Sequence, residues 1–470
     1  MSVLVNESDQ PVSGRAQLVD YFARAGRPKG EWLIGCEHEK FPFRLSTLSP
    51  VSYEEKNGLR DFLQGMREFG WAPVMEGDTI IGLSRGKAAI SFEPGGQVEL
   101  SGAPFRDLHA VAAETDQHLV EASEIGERLG IGFLGMGFHP TAARDAVPWV
   151  PKQRYRIMRE YMSKVGRFGH DMMLRTCTVQ VNLDFGDEAD MIKKMRVGLA
   201  LQPVATALFA SSPFTEGRPN GLNSARMNCW LDLDPDRTGA LPFVFEDGFG
   251  YERYTDYALD VPMYFVWRDG KYIDCAGQSF RDFLAGKLPA LPGKLPTITD
   301  WANHLTTLFP DVRLKKIIEM RGADAGMPEM MQALPAFWVG LLYDPASLDA
   351  AWDLAKNFTP EERAQFHGRV PKDGLRTVAG NRKLIDVACA AVEIAREGLR
   401  RRAVYAGGID ESSYLDPLLA IAESGQNDAD RLLKEAKTRP DFVAKDIFAL
   451  RRLSAPLRTP EYIATAKTSG

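Results

Sequence analysis

Residues 34–41 contain a polar stretch, Glu37 to Lys40, and the apolar residues 32–34 and Gly35 before it suggest a β-strand that enters the core. Successive side chains of a strand point to opposite faces, so Glu37 and Glu39 share one face. His38 then faces the opposite side, and we interpret it as a structural residue or as support for the acids. The pattern therefore predicts a strand that carries two carboxylates on one face.

Two further strand regions carry acids. At residues 317–321, Glu319 and Arg321 alternate with apolar neighbours. Residues 90–100 predict two short strands joined around a Pro-Gly-Gly turn, with Glu93 and Glu99 facing away from the apolar side chains. A sheet that brings these regions together would gather several carboxylates.

Three helices are predicted from apolar spacings of three and four residues. They cover residues 107–130, which end at a glycine, residues 151–165, which begin with a proline, and residues 191–208, with a possible kink at Pro203. Residues 174–185 between them predict a strand with one apolar and one polar face. Gln180 lies on the polar face, which we expect to line a site.

From about residue 349 the sequence becomes rich in Ala, Glu, Lys and Arg, which predicts a helical C-terminal region. Before it, helices alternate with mostly antiparallel strands without a regular βαβ rhythm. We therefore predict the α+β class and one domain over residues 1–470, with its core at about 30–347 and a helical part at about 348–470.

The net charge and the cysteine content argue against several classes of partner and of structural scaffold. A net charge of −6 gives no overall basic field, which argues against nucleic acid or an anionic membrane as the main partner. The 5 cysteines include no CxxC pair, so neither a disulfide scaffold nor a zinc ribbon is indicated, and a reducing compartment is expected.

The first thirty residues contain acids and no long apolar stretch, so we expect neither a secretory signal nor a transit peptide. The longest apolar run, residues 333–343, is shorter than the about 18 residues that a membrane-spanning helix needs. These features predict a soluble, cytoplasmic protein.

Carboxylates on neighbouring strands repel each other, which raises the pKa of at least one of them unless a cation neutralises the charge. Oxygen ligands suit Mg²⁺ or Mn²⁺. The residues alone therefore predict a divalent-metal site in an α+β enzyme. Each acidic pair also has an ordinary explanation, since acids are common on solvated strand faces and a surface ion pair is worth about 0–1 kcal/mol.

Several long segments together resemble glutamate–cysteine ligases of the plant and proteobacterial type. They include ISFEPGGQVELSGAP at 90–104, MMLRTCTVQVNLDF at 172–185, LALQPVATALFASSPFTEGRPN at 199–220 and YALDVPMYF at 257–265. The likeness spans roughly residues 30–345 and continues loosely into the helical tail.

The resemblance implies a glutamine-synthetase-like catalytic fold, in which helices flank a curved, mostly antiparallel sheet. It implies an enzyme that uses ATP to join the γ-carboxyl of L-glutamate to the amine of L-cysteine through an acyl phosphate, the first step of glutathione synthesis. The implied cofactor is Mg²⁺ or Mn²⁺. The expected partners are these small molecules, without nucleic acid or membrane, and the protein is expected to be a monomer or weak homodimer.

The resemblance also implies roles for single residues. Arg321 would stabilise charge on the transferring phosphoryl group, and Glu39 would act beside it as a catalytic metal ligand. The implied metal ligands are Glu37, Glu39, Glu93, Glu99, Gln180 and Glu319.

Candidate substrate-binding residues are two arginines and two tyrosines. Arg226 is expected at the glutamate α-carboxylate, and Arg175 could also bind a carboxylate through two hydrogen bonds. Tyr257 or Tyr264 is expected in the cysteine pocket, although aromatic residues in this segment are equally suited to the core.

The plant enzymes are regulated through two disulfides, and this sequence departs from them. Cys275 matches half of one bridge, but Ala290 stands at the partner position. The other bridge would need cysteines near Ala112 and Gln332. Disulfide switching of the plant kind is therefore not expected.

Three other functions stay open at this point. A related ligase of the same fold could join glutamate to a different amine. Paired carboxylates could act as acid and base in glycoside hydrolysis without ATP. A non-catalytic binding protein could retain the fold.

Overall fold

A computed structural model describes residues 6–454. The strands are β1 (Ile34–Arg44), β2 (Ala72–Glu76), β3 (Thr79–Arg85), β4 (Ala88–Phe92), β5 (Val98–Ser101), β6 (Ile131–Leu134), β7 (Thr178–Leu183), β8 (Phe214–Thr215), β9 (Arg218–Pro219), β10 (Thr238–Gly239), β11 (Phe265–Arg268), β12 (Lys271–Asp274), β13 (Phe309–Pro310), β14 (Val312–Leu314), β15 (Ile318–Asp324), β16 (Val378–Ala379), β17 (Arg382–Lys383), β18 (Tyr405–Ala406) and β19 (Ile409–Asp410).

Helices surround these strands. The α-helices are α1 (Arg15–Ala23), α2 (Leu59–Met66), α3 (Leu108–Leu129), α4 (Gln153–Val165), α5 (Gly169–Arg175), α6 (Glu188–Leu208), α7 (Ala225–Trp230), α8 (Tyr251–Asp260), α9 (Phe280–Leu284), α10 (Ile298–Leu305), α11 (Pro328–Leu342), α12 (Pro345–Ala355), α13 (Pro360–Asp373), α14 (Leu384–Arg402), α15 (Asp416–Ser424), α16 (Asp428–Thr438) and α17 (Ala444–Arg451).

The main sheet has the strand order β14-β15-β7-β1-β5-β4-β3-β2, and β6 pairs with the far end of β1. Every pair of neighbours in this sheet is antiparallel. The long strand β1 is therefore central, with β7 along one side and β5 along the other.

One face of the sheet is covered by α3, α6 and α11. The β7 residues Val179, Val181 and Leu183 have no exposed surface and join the core that these helices share with the sheet. Residues of β7 between them, Gln180 and Asn182, must then point to the opposite face. This alternation reserves one face for packing and leaves the other for polar groups.

The three predicted helices are present, with different starts for two of them. Helix α3 matches its prediction, because Asp107 accepts a hydrogen bond from the Ala110 N–H at its start and Gly130 ends it in the left-handed conformation. Helix α4 begins at Gln153 rather than at the proline, since Lys152 at its N-cap is extended. Helix α6 begins at Glu188, three residues early, because Asp187 caps it.

The predicted strands are also present, and one prediction of length is wrong. Residues 174 and 175 belong to α5 rather than to a strand, and β7 covers only Thr178–Leu183. The hairpin prediction holds, because β4 and β5 pair around a turn in which Gly96 has a positive φ. Glu93 lies in this turn, just after β4.

The C-terminal region is helical as predicted, apart from short two-residue strands. Helix α12 packs on α6 and α14 packs on α11, so the described C-terminal helices contact the core directly. All five cysteines are free thiols. None of the helices between residues 6 and 454 is long and apolar enough to cross a bilayer.

Candidate active site

The strand register brings the predicted acids to one face of the sheet. Glu37 pairs with Gln180 on β7 and with Ser101 on β5. Glu39 pairs with Glu99 on β5. Two carboxylates therefore stand side by side across the β1–β5 pair, at the centre of the sheet.

A cavity of about 80 Å³ lies over this face. Glu39 and Glu93 form one part of its wall with Arg154 beside them, and the arginines of β14 and β15 form another. The charged and amide residues of the wall are Glu39, Glu93, Gln97, Gln180, Arg154, Arg226, Arg313 and Arg321. An acidic side and a basic side thus face one space.

On the acidic side, Glu39 and Glu93 line the cavity, and Glu99 lies next to Glu39 on β5 without lining it. Burial raises the pKa of Glu39 well above its usual range, and the nearby carboxylates of Glu93 and Glu99 raise it further. Burial also raises the pKa of Glu99. The backbone N–H of Thr178 donates to Glu39 Oε2 at 2.9 Å and fixes the orientation of this carboxyl. Adding a cation here would relieve the repulsion.

Two basic residues of α4 and the segment before it border the acidic side. Lys152 donates to the Phe92 carbonyl at 2.8 Å, and burial lowers its pKa to about 8. Arg154 lines the cavity. The acidic cluster is thus partly balanced by fixed positive charge.

The basic side is organised around Glu319, which has no exposed surface. Arg313 donates from Nε and Nη2 to the two oxygens of Glu319, each at 2.8 Å. Lys315 Nζ lies 2.8 Å from Oε2, and Arg321 Nη1 donates to Oε1 at 2.8 Å. Although burial opposes ionisation, these three cations hold the pKa of Glu319 well below its usual range.

Arg321 reaches the cavity because β15 contains a bulge. Met320 pairs with Val181 and Ala323 pairs with Val179, so Arg321 and Gly322 together oppose one residue of β7. A Cβ on Gly322 would lie 1.8 Å from Gln202 Nε2, so this position suits glycine. From the bulge Arg321 Nη1 also donates to Gln180 Oε1 at 2.6 Å.

Arg226 reaches the same cavity from α7. Its Nη2 donates to the Arg321 carbonyl at 2.7 Å, which joins the two arginines into one unit. Its Nη1 is buried and has no hydrogen-bond partner among the described residues. An unpartnered buried donor is costly, so this atom is suited to receive an anionic ligand.

Asp324, at the end of β15, anchors the start of α7. Its carboxylate accepts hydrogen bonds from the hydroxyls of Ser212 and Ser224, each at 2.6 Å. Ser224 in turn caps α7 by accepting from the Met227 N–H at 3.0 Å. The strand that carries Arg321 therefore also fixes the helix that carries Arg226.

The donor chemistry of the acidic side fits a hard divalent cation, because buried carboxylates on adjacent strands repel each other and offer only oxygen ligands. Within residues 6–454, however, no group of three or more His, Cys, Asp or Glu side chains is arranged as a metal site. As placed here, the carboxylates of Glu39, Glu93 and Glu99 are therefore not yet arranged around one point as ligands of a cation.

The other three predicted metal ligands lie on the same face of the sheet, but their side chains bind other protein side chains. They are Glu37, Gln180 and Glu319. Glu37 Oε1 accepts from Asn182 Nδ2 at 2.7 Å and is not part of the cavity wall. The side-chain oxygen of Gln180 accepts from Arg321, and both oxygens of Glu319 contact cations. As placed here, these residues organise the basic side.

Three predicted substrate residues do not line the cavity. Arg175 donates to Asp171 at 2.8 Å and to Glu216 at 3.0 Å, so both acids occupy its guanidinium. Tyr264 packs under Arg237, whose guanidinium carbon lies 4.0 Å from the ring centroid. The Tyr257 hydroxyl donates to the Arg237 carbonyl at 3.5 Å. Both tyrosines therefore belong to the structure around Arg237.

Sequence reasoning missed Arg313, Lys315 and Arg154. A signal for the first two was present, because Arg313 and Lys315 alternate with apolar residues just before the strand of Glu319. Read as a hairpin, this segment would have placed two cations beside Glu319. Arg154 had no comparable signal, since its approach to the cavity depends on how α4 packs against the sheet.

Comparison with known proteins identifies relatives of this chain. The sequence model of a family described as "Glutamate-cysteine ligase family 2(GCS2)" matches residues 33–446. The chain is 55% identical over 421 residues to a chloroplastic glutamate–cysteine ligase of Medicago truncatula, covering 89% of this chain and 81% of the relative. It is 55% identical over 421 residues to the chloroplastic enzyme of Arabidopsis thaliana, covering 89% of this chain and 79% of that relative.

A solved structure has a similar fold. The glutamate–cysteine ligase of Francisella tularensis in complex with AMP aligns with a TM-score of 0.56 and 12% identity, covering 89% of this chain and 87% of that one. The predicted α+β, glutamine-synthetase-like fold is confirmed. The predicted cytoplasmic location is wrong by these comparisons, because the relatives from M. truncatula and A. thaliana are chloroplastic enzymes.

Proposed function

The chain belongs to the glutamate–cysteine ligase family, and we propose that its reaction takes place in the cavity between Glu39 and Arg321. The protein is a ligase that forms γ-glutamylcysteine from L-glutamate and L-cysteine with ATP, the first step of glutathione synthesis. One observation carries the placement in the cavity: its wall divides into a carboxylate side and an arginine side. ATP carries negative phosphates, and the two amino acids carry carboxylate and ammonium groups. The arginines can bind the anionic groups, and the carboxylates can bind cationic ones.

The first chemical step requires two anions to meet. An oxygen of the glutamate γ-carboxylate attacks the γ-phosphorus of ATP, the bond to the bridging oxygen breaks, and ADP leaves as an acyl phosphate forms. Arg321, held by Gln180 and Glu319, faces the cavity and would stabilise the charge on the transferring phosphoryl group. Arg226 would bind the glutamate α-carboxylate through its unpartnered Nη1.

The acidic side would hold a divalent cation, Mg²⁺ or Mn²⁺, through Glu39, Glu93 and Glu99. When bound, such a cation neutralises negative charge between phosphates and carboxylates. Glu37, Gln180 and Glu319 would join the ligands only by exchanging their bonds to Asn182, Arg321 and Arg313. We therefore propose Glu39, with its partners on β5 and in the turn, as the centre of the metal site.

In the second step the cysteine amine attacks the acyl carbon, phosphate leaves, and the amine loses a proton to give the amide. The cysteine side chain needs an apolar, polarisable surface. Met158, Met172 and Met173 line the cavity and would supply it. Tyr257 and Tyr264 would then support this region from around Arg237 rather than contact the substrate.

The proposal is tested by measuring ADP formation with ATP, L-glutamate and magnesium, with and without L-cysteine. We expect ADP release that depends on glutamate and rises with cysteine, and loss of activity when EDTA removes the metal. The product should be γ-glutamylcysteine by mass. A higher rate with 2-aminobutyrate or another amine than with cysteine would change the acceptor, and ADP formation independent of glutamate would refute the proposal.

Replacing Arg321 with Lys keeps the charge but loses the planar guanidinium, which lines the cavity while its Nη1 donates to both Gln180 and Glu319. Lysine would offer the transferring phosphoryl group a point charge without the paired donors of a guanidinium. We expect kcat to fall by about 10²-fold, because the lost contacts act on the transferring group. The KM for glutamate should change much less. Steady-state ADP formation checks this, and an unchanged kcat would make Arg321 a structural residue.

A further inference from the structure

A second pocket opens beside the main cavity and shares Arg226, Trp230, Phe309 and Arg321 with it. Its volume is about 10 Å³, and Asp311 forms part of its wall. A space of that size holds one water molecule or one group of similar size, such as an ammonium group. A small pocket lined by both charged and apolar residues thus continues the site beside Arg226.

Asp311 is fixed in place through its backbone and its side chain. It lies between β13 and β14, where its N–H donates to the Gly239 carbonyl and its carbonyl accepts from the Arg321 N–H, each at 3.1 Å. His367 Nε2 lies 2.8 Å from Asp311 Oδ2. This distance places the His367 ring within ion-pair range of the carboxylate. Although burial opposes protonation, Asp311 raises the pKa of His367.

Helix α13 of the C-terminal region contacts both sides of this pocket. His367 holds Asp311 on one side. On the other, the carbonyl of Pro371 accepts from the backbone N–H groups of Asn223 at 2.8 Å and Ser224 at 2.9 Å. Ser224 caps α7, which carries Arg226. A single helix therefore fixes both the carboxylate and the arginine of the pocket.

The two charged groups complement an α-amino acid. Arg226 offers the buried, unpartnered Nη1 donor, which suits a carboxylate. Asp311 offers an anionic acceptor beside a space that fits one ammonium group. An α-amino acid carries a carboxylate and an ammonium on the same carbon, so both groups could be bound at once from adjacent positions.

We propose that Asp311 binds the α-ammonium group of L-glutamate and that His367 is a positioning residue that holds Asp311. The inference rests on the proposed function, in which Arg226 binds the α-carboxylate of the same substrate. It makes helix α13 part of the substrate site. It also makes Asp311 the group that selects glutamate over a dicarboxylate lacking the amine.

The test compares L-glutamate with glutarate, which has the same carbon chain without the α-amino group. In the wild type, ADP formation gives the KM for glutamate and, by competition, the inhibition constant of glutarate. Asp311→Asn should raise the KM for glutamate by about 10–100-fold, because the ammonium loses its charged partner. The inhibition constant of glutarate and the KM for ATP should stay within about twofold.

His367 is tested in the same assay. His367→Ala should raise the KM for glutamate several-fold while sparing glutarate, and His367→Gln, which keeps a donor near the Nε2 position, should restore most of the loss. If Asp311→Asn does not fold, the KM for glutamate and the inhibition constant of glutarate in the two His367 variants test the inference without it.

Two results would overturn the inference: an unchanged KM for glutamate in Asp311→Asn, or equal weakening of glutamate and glutarate in the variants that fold. A wild type that forms no ADP with glutamate would instead remove the proposed function itself. The two failures are therefore distinguishable.

Discussion

Replacing Glu39 with Gln is expected to lower magnesium-dependent ADP formation by at least about 10²-fold while leaving the protein folded. Glutamine has the same size and can still accept the hydrogen bond from the Thr178 N–H. It cannot supply the negative charge that a divalent cation needs. Because burial and the neighbouring acids Glu93 and Glu99 raise the pKa of Glu39, removing its charge also relieves repulsion in the folded state.

The combination of lost activity and retained stability distinguishes a functional carboxylate from a structural one. Activity is measured as ADP release at saturating ATP and glutamate over a range of magnesium concentrations, and stability as the thermal midpoint. Glu121→Gln is the matched control. Glu121 is also a buried carboxylate, but it contacts Trp71 and Arg85 and does not line the cavity. The control should keep nearly full activity. Wild-type turnover in Glu39→Gln would remove Glu39 from the site.

The face of each predicted strand could be derived from sequence because alternation is a local property. Glu37, Glu39 and Gln180 share a face in the structure, and His38 lies on the other, buried with His118. The contacts across the sheet could not be derived in the same way. Whether Glu319 contacts a metal ion or basic side chains depends on the β14–β15 pairing and on the bulge after Met320, and both strands pack against α6.

Residues outside the sheet were harder to place. The segment with Tyr257 and Tyr264 is aromatic, and aromatic residues serve cores and pockets equally well. Their position around Arg237 follows from tertiary packing. Arg175 was read as part of a strand, but it ends helix α5 and turns toward Asp171, four residues earlier. An i,i+4 ion pair could have been noticed only after the helix was recognised.

The strand order of the sheet sets where most charged groups of the cavity lie. Carboxylates occupy the β1–β5 side, and arginines occupy the β14–β15 side, with β7 between them. Gln180 and Asn182 of β7 bridge the two sides, since Gln180 accepts from Arg321 and Asn182 donates to Glu37. The neutral amides of β7 thus lie between Glu39 on β1 and the arginines of β14 and β15, while Lys152 and Arg154 partly balance the acids from the side of α4.

Replacing Glu319 with Gln should give the largest loss of stability. The change leaves Arg313, Lys315 and Arg321 close together and buried without their shared counter-charge. Removing one partner of a buried ion pair costs about 3–5 kcal/mol in the free energy of unfolding. Activity should fall as well, because Arg321 loses the group that orients it.

The loss should depend on pH in a defined direction. The pKa of Glu319 is lowered in the folded state, so its charge stabilises the protein fully above the pKa of an unfolded glutamate, about 4.3, and this contribution disappears as the pH falls through the folded pKa. The difference between wild type and Glu319→Gln should therefore be full at pH 7 and shrink under acid.

Urea denaturation at several pH values measures this difference. The matched control is Glu68→Gln, which breaks a pair with Arg128 of similar two-bond geometry, at 2.8 and 2.6 Å, on the exposed surface. Solvent screens that pair, so the control should leave the unfolding midpoint almost unchanged. Equal midpoints for Glu319→Gln and the control would mean that water or a rearrangement compensates the three cations. Glu319 would then not be required as the counter-charge of these cations, and it could act as a metal ligand instead.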